Sequence, residues 1–586
     1  MTTPPATAAR SPHGGAFLTQ HTAFQDIFTA EDLGEEHLAI GRTVDEFWRN
    51  EVESDLEAIR QQQPGVALRL VRKAAELGLT AIAIPERFGG MEMDLVSVMV
   101  AGEHLARDGS FAGWISAHSG IGTLPLLLFG TEEQKQRYLP RLATAEMLAA
   151  YALTEPLAGS DAMAIRTRAD LAPDGKHYLL NGQKMWITNG GAADLFTVFA
   201  KVGGEHFTAF LVERGFGGVT HGAEEHKMGI KGSSTTAVYL DNVPVPVENQ
   251  LGEIGRGHII AFNILNLGRL KLGAGALAGS KNVLSISAKY AKQRKAFGTT
   301  ISEFGAIQHK LGEMAIRMYA TESMVWRVVG MIQQRLRSAE ASAGNTQHEM
   351  KAVEEYAAEC SMIKVFASEM LDYVVDEGVQ IHGGYGYHQD YAVERAYRDA
   401  RINRIFEGTN EINRLIITSM LLKRAARGQS PLLSRAEAAL QPTAPDADGG
   451  EEMRLVANAK RIALIIVGMA VRDFGARLEK EQEVLMNISD IILQVFALES
   501  SLLRQRKLAA RGPAANAAEI CAVFLREAMD QVEISARNVI GACGQAGDRR
   551  GAAAIIRQLA YYEPIDAVAL RRNIARRVLE AERYVV

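Results

Sequence analysis

The sequence predicts a multidomain α+β protein in which helices, then strands, then helices again follow one another, with a further helical region appended. Three observations carry this reading. Apolar residues recur at helical spacing up to about residue 148, and from Ala149 the chain alternates and turns in β fashion. From Gly257 long helical runs return, and a stretch rich in Pro, Ala, Asp and Gly at 429–451 parts off a last helical region. The resulting division is a disordered tail at 1–30, an all-α domain at 31–148, a β-barrel or sandwich at 149–255, a helical bundle at 256–428, a linker at 429–451 and a helical domain at 452–586.

Composition narrows the class. With 47% apolar and 23% charged residues, the 586-residue chain has the make-up of a globular protein and enough length for several cores. A net charge of −5 with no long basic run gives no nucleic-acid signature. Three scattered cysteines argue for a reducing compartment and against a disulfide framework. No window shows the roughly 18 consecutive apolar residues of a membrane span, and Ile462 to Val471 reads as a buried helix. The N-terminal 25 residues hold one arginine and no acid, and lack the apolar centre of a signal peptide.

In order, helices are expected near 31–60, 66–79, 93–106 and 131–142, with Thr131 as a cap. Leu79 to Pro85 reads as an extended piece entering a turn at Gly89-Gly90. His177–Gly182 and Met185–Gly190 read as two short strands with Asn-Gly turn signals. Further strands are expected at 195–202, 207–212 and 235–240, and long helices at 257–295, 305–337, 350–382, 391–403 and 411–426. The glycines of Gly273–Gly279 sit inside a helical run, so they serve close helix packing; a dinucleotide fingerprint would need a preceding strand. Metal-ligand spacings, nucleophile elbows and phosphate-binding loops are missing from the sequence.

Three stretches offer chemistry. Ile405 and Phe406 lead into Glu407, with Arg398, Arg401, Arg404 and Arg414 around it, so a lone acid follows two apolar residues that are expected to keep it poorly solvated. Tyr151 to Asp161 combines small residues with the hydroxyls of Thr154 and Ser160, a set able to line a polar ligand. In 183–189, Trp186 and Thr188 fall on one strand face, an aromatic plane and a hydroxyl suited to a flat heteroaromatic ligand.

The segments YALTEPLAGSD, NGQKMWITNG, HKMGIKGSS, KQRKAFG, VQIHGGYGY and IFEGTNEI occur in this order and resemble the acyl-CoA dehydrogenase family over about residues 35–425. LFTVFAK, FLVERGFGGVTHG, ILNLGR and the linked C-terminal helical domain are most similar to its very-long-chain branch. The resemblance implies a helical domain, a β-domain and a four-helix bundle, with FAD between the last two and a homodimer partner. It places Tyr151, Leu153, Thr154, Gly159, Ser160, Trp186, Thr188, Thr409 and Glu411 at the flavin. Arg294, Phe297 and Gln308 match positions that reach FAD, Arg294 serving the pyrophosphate of the partner subunit's flavin, and the loop Gln380 to Gly384, with Gly383, matches one that crosses the dimer interface to the adenosine end. Ser160, Asn266, Arg269 and Gly408 fall on the substrate side, Asn266 where many relatives have Asp.

Glu407 matches the family's base, which removes the α-proton of a fatty acyl-CoA while the β-hydride passes to flavin, giving a trans-2-enoyl-CoA for β-oxidation. Electrons then leave to electron-transferring flavoprotein. Gly113 and Ala117, small and four apart on one helix face, match the floor of the acyl pocket; a deep channel for long chains and ordinary helix packing both account for them. Lys423, Arg424, Arg427 and Arg435 suit either an anionic membrane surface, as the branch implies, or a solvated basic face. A bacterial-type cytoplasmic location is expected, or the mitochondrial matrix for a eukaryotic source. An acyl-CoA oxidase, and an assembly or scaffold protein on the same fold, are the alternatives.

Overall fold

The computed structural model describes residues 12–340, 346–440, 450–544 and 546–586. Helices α1 (Glu35–Phe47), α2 (Leu56–Arg60), α3 (Val66–Glu76), α4 (Leu95–Leu105), α5 (Gly109–Ser116), α6 (Leu124–Phe129) and α7 (Glu132–Ala143) follow the apolar spacing of the sequence. Asp94, Asp108 and Thr131 cap α4, α5 and α7 by accepting main-chain N–H groups that the helices leave unpaired. Their apolar faces meet around Val44, Phe47, Leu70, Val71 and Phe111. Leu79 to Pro85 is a run of turns rather than an extended segment; Leu79, Ile82 and Ile84 are buried, and N–H groups of Met91, Glu92 and Met93 return to its carbonyls. Between α5 and α6, Ala117–Gly122 makes a π-helical turn that breaks at Gly120, with φ −97° and ψ −107°.

Strands β1 (Ala149–Ala152), β2 (Arg168–Leu171), β3 (His177–Thr188), β4 (Leu195–Val202), β5 (His206–Glu213), β6 (Val219–His221), β7 (Thr235–Pro246) and β8 (Gln250–Leu251) form an eight-stranded sheet ordered β6-β7-β3-β2-β4-β5-β8, with β1 parallel to β4. The two strands expected at 177–190 are one. Asn181-Gly182 lies inside β3, where the missing Cβ of Gly182 leaves room for Thr167 and the register with β7 shifts without turning the chain.

Helix α8 (Gly257–Gln293) holds Gly273–Gly279 mid-helix, and a Cβ on Gly279 would touch Leu371 at 3.3 Å, as close helix packing requires. Strands β9 (Lys295–Ala296) and β10 (Thr299–Thr300) make a hairpin. Then come α9 (Gly305–Glu340), α10 (Thr346–Glu355), α11 (Ala357–His382), α12 (Ala392–Ala400), α13 (Asn410–Ala426), α14 (Leu432–Ala439), α15 (Gly450–Phe474), α16 (Gln482–Arg511), α17 (Ala515–Ala542), α18 (Ala546–Ala560) and α19 (Ala567–Ala581). The expected linker contains α14, which buries Leu432 and Ala436; its 441–449 portion lies outside the described residues.

Packing divides the chain into two compact units. One comprises Leu33–Glu322, Ile363–Ile412 and Val568–Val586. Val568–Val586, assigned from sequence to the appended domain, belongs here because Ile574, Ala575 and Val578 of α19 are buried and the Tyr584 hydroxyl donates to Glu322 at 3.0 Å.

The other unit comprises Met1–Asp32, Ser323–Met362 and Asn413–Ala567. Residues 12–30, expected as a disordered tail, are ordered in it, whereas 1–11 lie outside the described residues. Phe17 packs its ring 4.8 Å from Phe496, the Tyr356 hydroxyl donates to the Pro12 carbonyl at 2.6 Å, and Gly15 N–H donates to Glu359 at 2.7 Å. Arg504 holds Glu31, and Lys507 holds Asp32 at 2.6 Å. Helix α16 is long and apolar enough to cross a membrane, but 78% of its apolar window is buried within the protein, as in a core helix.

Candidate active site

Between α12 and α13 the chain passes through a short 3₁₀ turn, Arg401–Arg404, and then two left-handed residues, Glu407 (φ 57°) and Gly408 (φ 80°). Glycine takes that conformation freely; a glutamate there is strained, and such strain concentrates at functional sites. The twist lays the Glu407 carboxyl group on Gly268 of α8, so that a Cβ added there would stand 2.8 Å from Oε2 and 2.9 Å from Cδ. Glycine at 268 is what lets the carboxyl group settle against the helix.

The electrostatics follow from this placement. Burial pushes the Glu407 carboxyl up to about 7 from its usual 4.5, and the nearby Arg269 and Lys364 charges only partly oppose it. Ile405 and Phe406, expected to supply the apolar cover, are 48% and 41% exposed, whereas the carboxyl lies against α8 at Gly268. The Tyr151 phenol is held well above its ordinary value by burial and by the Glu407 charge. Arg269 donates from Nε to the Glu407 carbonyl at 3.1 Å and from a terminal nitrogen to Asn266 Oδ1 at 2.9 Å.

Lys364 was not singled out in the sequence, although a lysine in the apolar run Met362-Ile363-Lys364-Val365-Phe366 was a visible signal. It is fully buried and donates to the Gly408 carbonyl and to Asn410 Oδ1, both at 2.7 Å. Burial, seconded by the Arg269 charge, brings its ammonium down to about 7. Lys364 and Arg269 thus hold the main chain on both sides of the Glu407–Gly408 bond. Thr409 accepts from Ile412 N–H at 3.3 Å and starts α13, whose first turn carries Glu411. Of the flanking arginines, Arg398 pairs with Glu394, Arg404 with Asp372 and Arg414 with Asp490.

The loop at 151–161 is clamped to β3. Met185 N–H donates to the Thr154 carbonyl at 2.9 Å, and the fully buried Lys184 reaches the Leu153 carbonyl at 3.2 Å and Glu155 at 2.7 Å. Trp186 therefore stands beside Thr154. Its exposure does not come from simple alternation: Lys184 is buried while Trp186 is 58% exposed, because the register slips between Lys184 and Ile187 and Trp186 turns left-handed (φ 57°). Thr188 is half-buried on the same strand, and Gly159 and Ser160 are exposed.

A second group collects at the far end of α8, where Arg294 lies roughly 37 Å along the helix axis from Arg269. Phe297 and Gly298 are the two central residues of the β9–β10 hairpin, both left-handed (φ 54° and 84°), and Phe297 is 96% exposed. The Arg294 guanidinium lies 5.4 Å from the Tyr385 ring centroid, beside the exposed Gln380, Gly383 and Gly384, and Gln308 donates to the Ser302 carbonyl. These residues are too far along α8 to share one small ligand with Glu407 in the same chain.

Gly113 packs closely on the segment before β7. A Cβ there would meet Ser233 Cβ at 2.9 Å, so the glycine admits the β7 approach loop, and Ala117 is buried. Trp114 next to it donates to the Gly232 carbonyl at 2.9 Å. Arg424, one of the basic residues considered for a surface, is taken up by an ion pair with Glu355.

The chain matches the family models for the acyl-CoA dehydrogenase N-terminal domain at 34–146, middle domain at 150–243 and C-terminal domain at 255–422, and a further acyl-CoA dehydrogenase C-terminal domain at 458–558. It is 45% identical over 590 residues to a probable acyl-CoA dehydrogenase of Bacillus subtilis, covering 99% of each chain. It is 45% identical over 356 residues to the human mitochondrial very long-chain specific acyl-CoA dehydrogenase, a match covering 58% of this chain and 51% of that protein. The crystal structure of an acyl-CoA dehydrogenase complexed with FAD from Bacillus anthracis superposes with a TM-score of 0.96 at 46% identity, covering 98% of this chain and all of that one.

Proposed function

The chain belongs to the acyl-CoA dehydrogenase family, and from that premise we propose that it desaturates long-chain fatty acyl-CoA thioesters between Cα and Cβ, with Glu407 as the base. The observation that carries the reading is the Glu407 carboxyl laid on Gly268 with its pKa pushed up to about 7 by burial. A thioester α-proton is a very weak acid, and a carboxylate at the ordinary 4.5 would be too weak a base for it; one near neutrality is matched to the task. Arg269 and Lys364 fix the main chain around Glu407, so that the Glu407 N–H can be held toward the thioester carbonyl, where enolate charge develops. Asn266, bonded to Arg269, Gly408 and Ser160 line the substrate side.

FAD fits the residues present. The outward, bulge-presented Trp186 offers a plane, and a Cβ at Gly159, Gly383 or Gly384 would meet nothing, so the main chain stays open to a ligand. Tyr151, Leu153, Thr154, Trp186, Thr188, Thr409 and Glu411 would hold the flavin end. When bound, the flavin supplies the acceptor for the β-hydrogen as hydride. Arg294, Phe297, Gln308 and Gln380 to Gly384 would serve the cofactor of a second copy in a homodimer, since the length of α8 keeps them from their own chain's Glu407. An arginine is suited to a diphosphate.

The long-chain preference is supported by the likeness to the very-long-chain relatives. We assign electron-transferring flavoprotein as the electron acceptor and the cytoplasm as the place of work, in keeping with the bacterial relative matched end to end. The test is anaerobic addition of palmitoyl-CoA to the yellow protein: bleaching that persists in air is expected. Rapid return of colour with peroxide would make it an oxidase, and no bleaching would favour a scaffold. Faster bleaching by octanoyl-CoA than by palmitoyl-CoA overturns the chain-length assignment.

A further inference from the structure

The chain is acidic overall, at −5, yet one cleft in the unit that holds the N-terminal segment is basic. Its volume is about 490 Å³, within the range of roughly 300–1,000 Å³ usual for small-molecule sites. Arg335 of α9, Lys351 of α10, and Lys423, Arg424 and Arg427 at the C-terminal end of α13 line it, beside His13. Glu354 and Glu355 line it too, so five cations stand against two carboxylates.

Those carboxylates do not absorb the excess. Glu355 accepts from Gly14 N–H at 2.8 Å, pairs with Arg424 and lies 3.5 Å from Arg335. Among the described residues no hydrogen bond or ion pair reaches the ammonium of Lys351, the ammonium of Lys423 or the guanidinium of Arg427. Even Arg424, paired through a terminal nitrogen, keeps a buried Nε–H without an acceptor. The negative end of α13 accounts for cations at Lys423 and Arg424, but Arg335 and Lys351 are brought in by two other helices. Like charges gathered in one concavity repel each other, and a lining of one sign concentrates anions from solution. A membrane contact calls for apolar side chains presented to the lipid; here the surface is concave, and among the described residues Met420 is the only apolar one lining it.

We propose that this cleft binds a free small molecule carrying at least a diphosphate, whose roughly three negative charges match the unpartnered Lys351, Lys423 and Arg427. Arginine forks take two phosphate oxygens at once, and lysine meets them as a point charge. The inference stands on this lining and not on the reaction assigned to Glu407.

The test is calorimetric titration of inorganic phosphate, pyrophosphate and tripolyphosphate into the holoenzyme, with affinity expected to rise in that order. Lys423→Gln with Arg427→Gln should weaken pyrophosphate binding at least about tenfold, the scale of a lost charge-assisted hydrogen bond. Lys351→Gln, on another helix, should weaken it as well. Phosphate sites elsewhere in the protein are unchanged in these variants. Arg42→Gln with Lys176→Gln, two exposed cations outside the cleft, controls for net charge and should leave the affinity within about twofold. Absence of pyrophosphate binding in the wild type, or cleft variants that lower it no more than the control pair does, overturns the proposal. So does capture of the wild type by equimolar phosphatidylglycerol–phosphatidylcholine vesicles, lost in the double cleft variant, while pyrophosphate does not bind: the cleft would then be a lipid-headgroup contact.

Discussion

Gly268→Ala tests the contact on which the proposed chemistry depends. The added methyl would stand 2.8 Å from Oε2, 2.9 Å from Cδ and 3.1 Å from Oε1 of Glu407. Ordinary contacts begin near 3.5 Å, so the carboxyl group must retreat by roughly half an ångström. It is the free end of a flexible side chain, so the fold absorbs the change, and alanine inside a helix brings a gain of up to about 1 kcal/mol. Catalysis does not absorb it: a misplacement near 1 Å costs about 10²-fold, and half of that predicts a loss on the order of tenfold in the rate of proton abstraction. The assay is stopped-flow bleaching by palmitoyl-CoA and by its α-deuterated form, with a thermal melt of each protein. A slower step, a larger isotope effect and an unchanged or raised melting temperature are expected. A wild-type rate, or a rate that falls together with stability, would refute the reasoning.

Glu407→Gln should stay yellow and lose bleaching by about 10³-fold, the scale of a missing general base. Because the base must be ionised, kcat/KM in the wild type should rise with pH through about 7 and level above it. Arg269→Met removes a charge that lowers the Glu407 pKa, so the same limb should shift to higher pH, and kcat should fall with loss of the bond to the Glu407 carbonyl. The raised carboxyl also bears on folding: its stabilising contribution is full below 4.5 and is lost as pH rises through about 7, so the stability of the Gln variant relative to wild type should increase over that window in urea titrations. Lys184→Met strands the Glu155 carboxylate beside Thr167 and should cost about 3–5 kcal/mol in urea unfolding, part of which Glu155→Gln in the same chain restores.

Helices and strands were legible wherever one apolar face recurs, as in α1, α3 and α7, because periodicity records burial directly. The order of motifs marked Glu407 and Trp186 as candidates. Their left-handed backbone was not legible, since a register slip in β3 and the reversal before α13 depend on partners distant in sequence. The burial of Glu407 was assigned to its neighbours Ile405 and Phe406, whereas the carboxyl lies against Gly268 of α8, far away in sequence. Lys364 went unmarked for the same reason: a lysine in an apolar run signals burial, whereas the Gly408 carbonyl that gives it its setting comes from another segment. Gly113 shows the converse, a small residue whose spacing gives no sign of the Ser233 it makes room for.

The anchoring of the N-terminal segment bears on how the protein is made. Glu31 and Arg504 are 473 residues apart, and Asp32 and Lys507 are 475 apart. At translation speeds of ~5–20 residues per second, the segment waits roughly 25 to 95 s on the ribosome before its partners exist. Phe17 and Leu18, buried in the finished unit, are meanwhile exposed on a nascent chain. The unit to which they belong can close only after α16 has been synthesised, so a stall in translation before Arg504 should leave a chain that holds its proposed catalytic loop yet remains a client for chaperones.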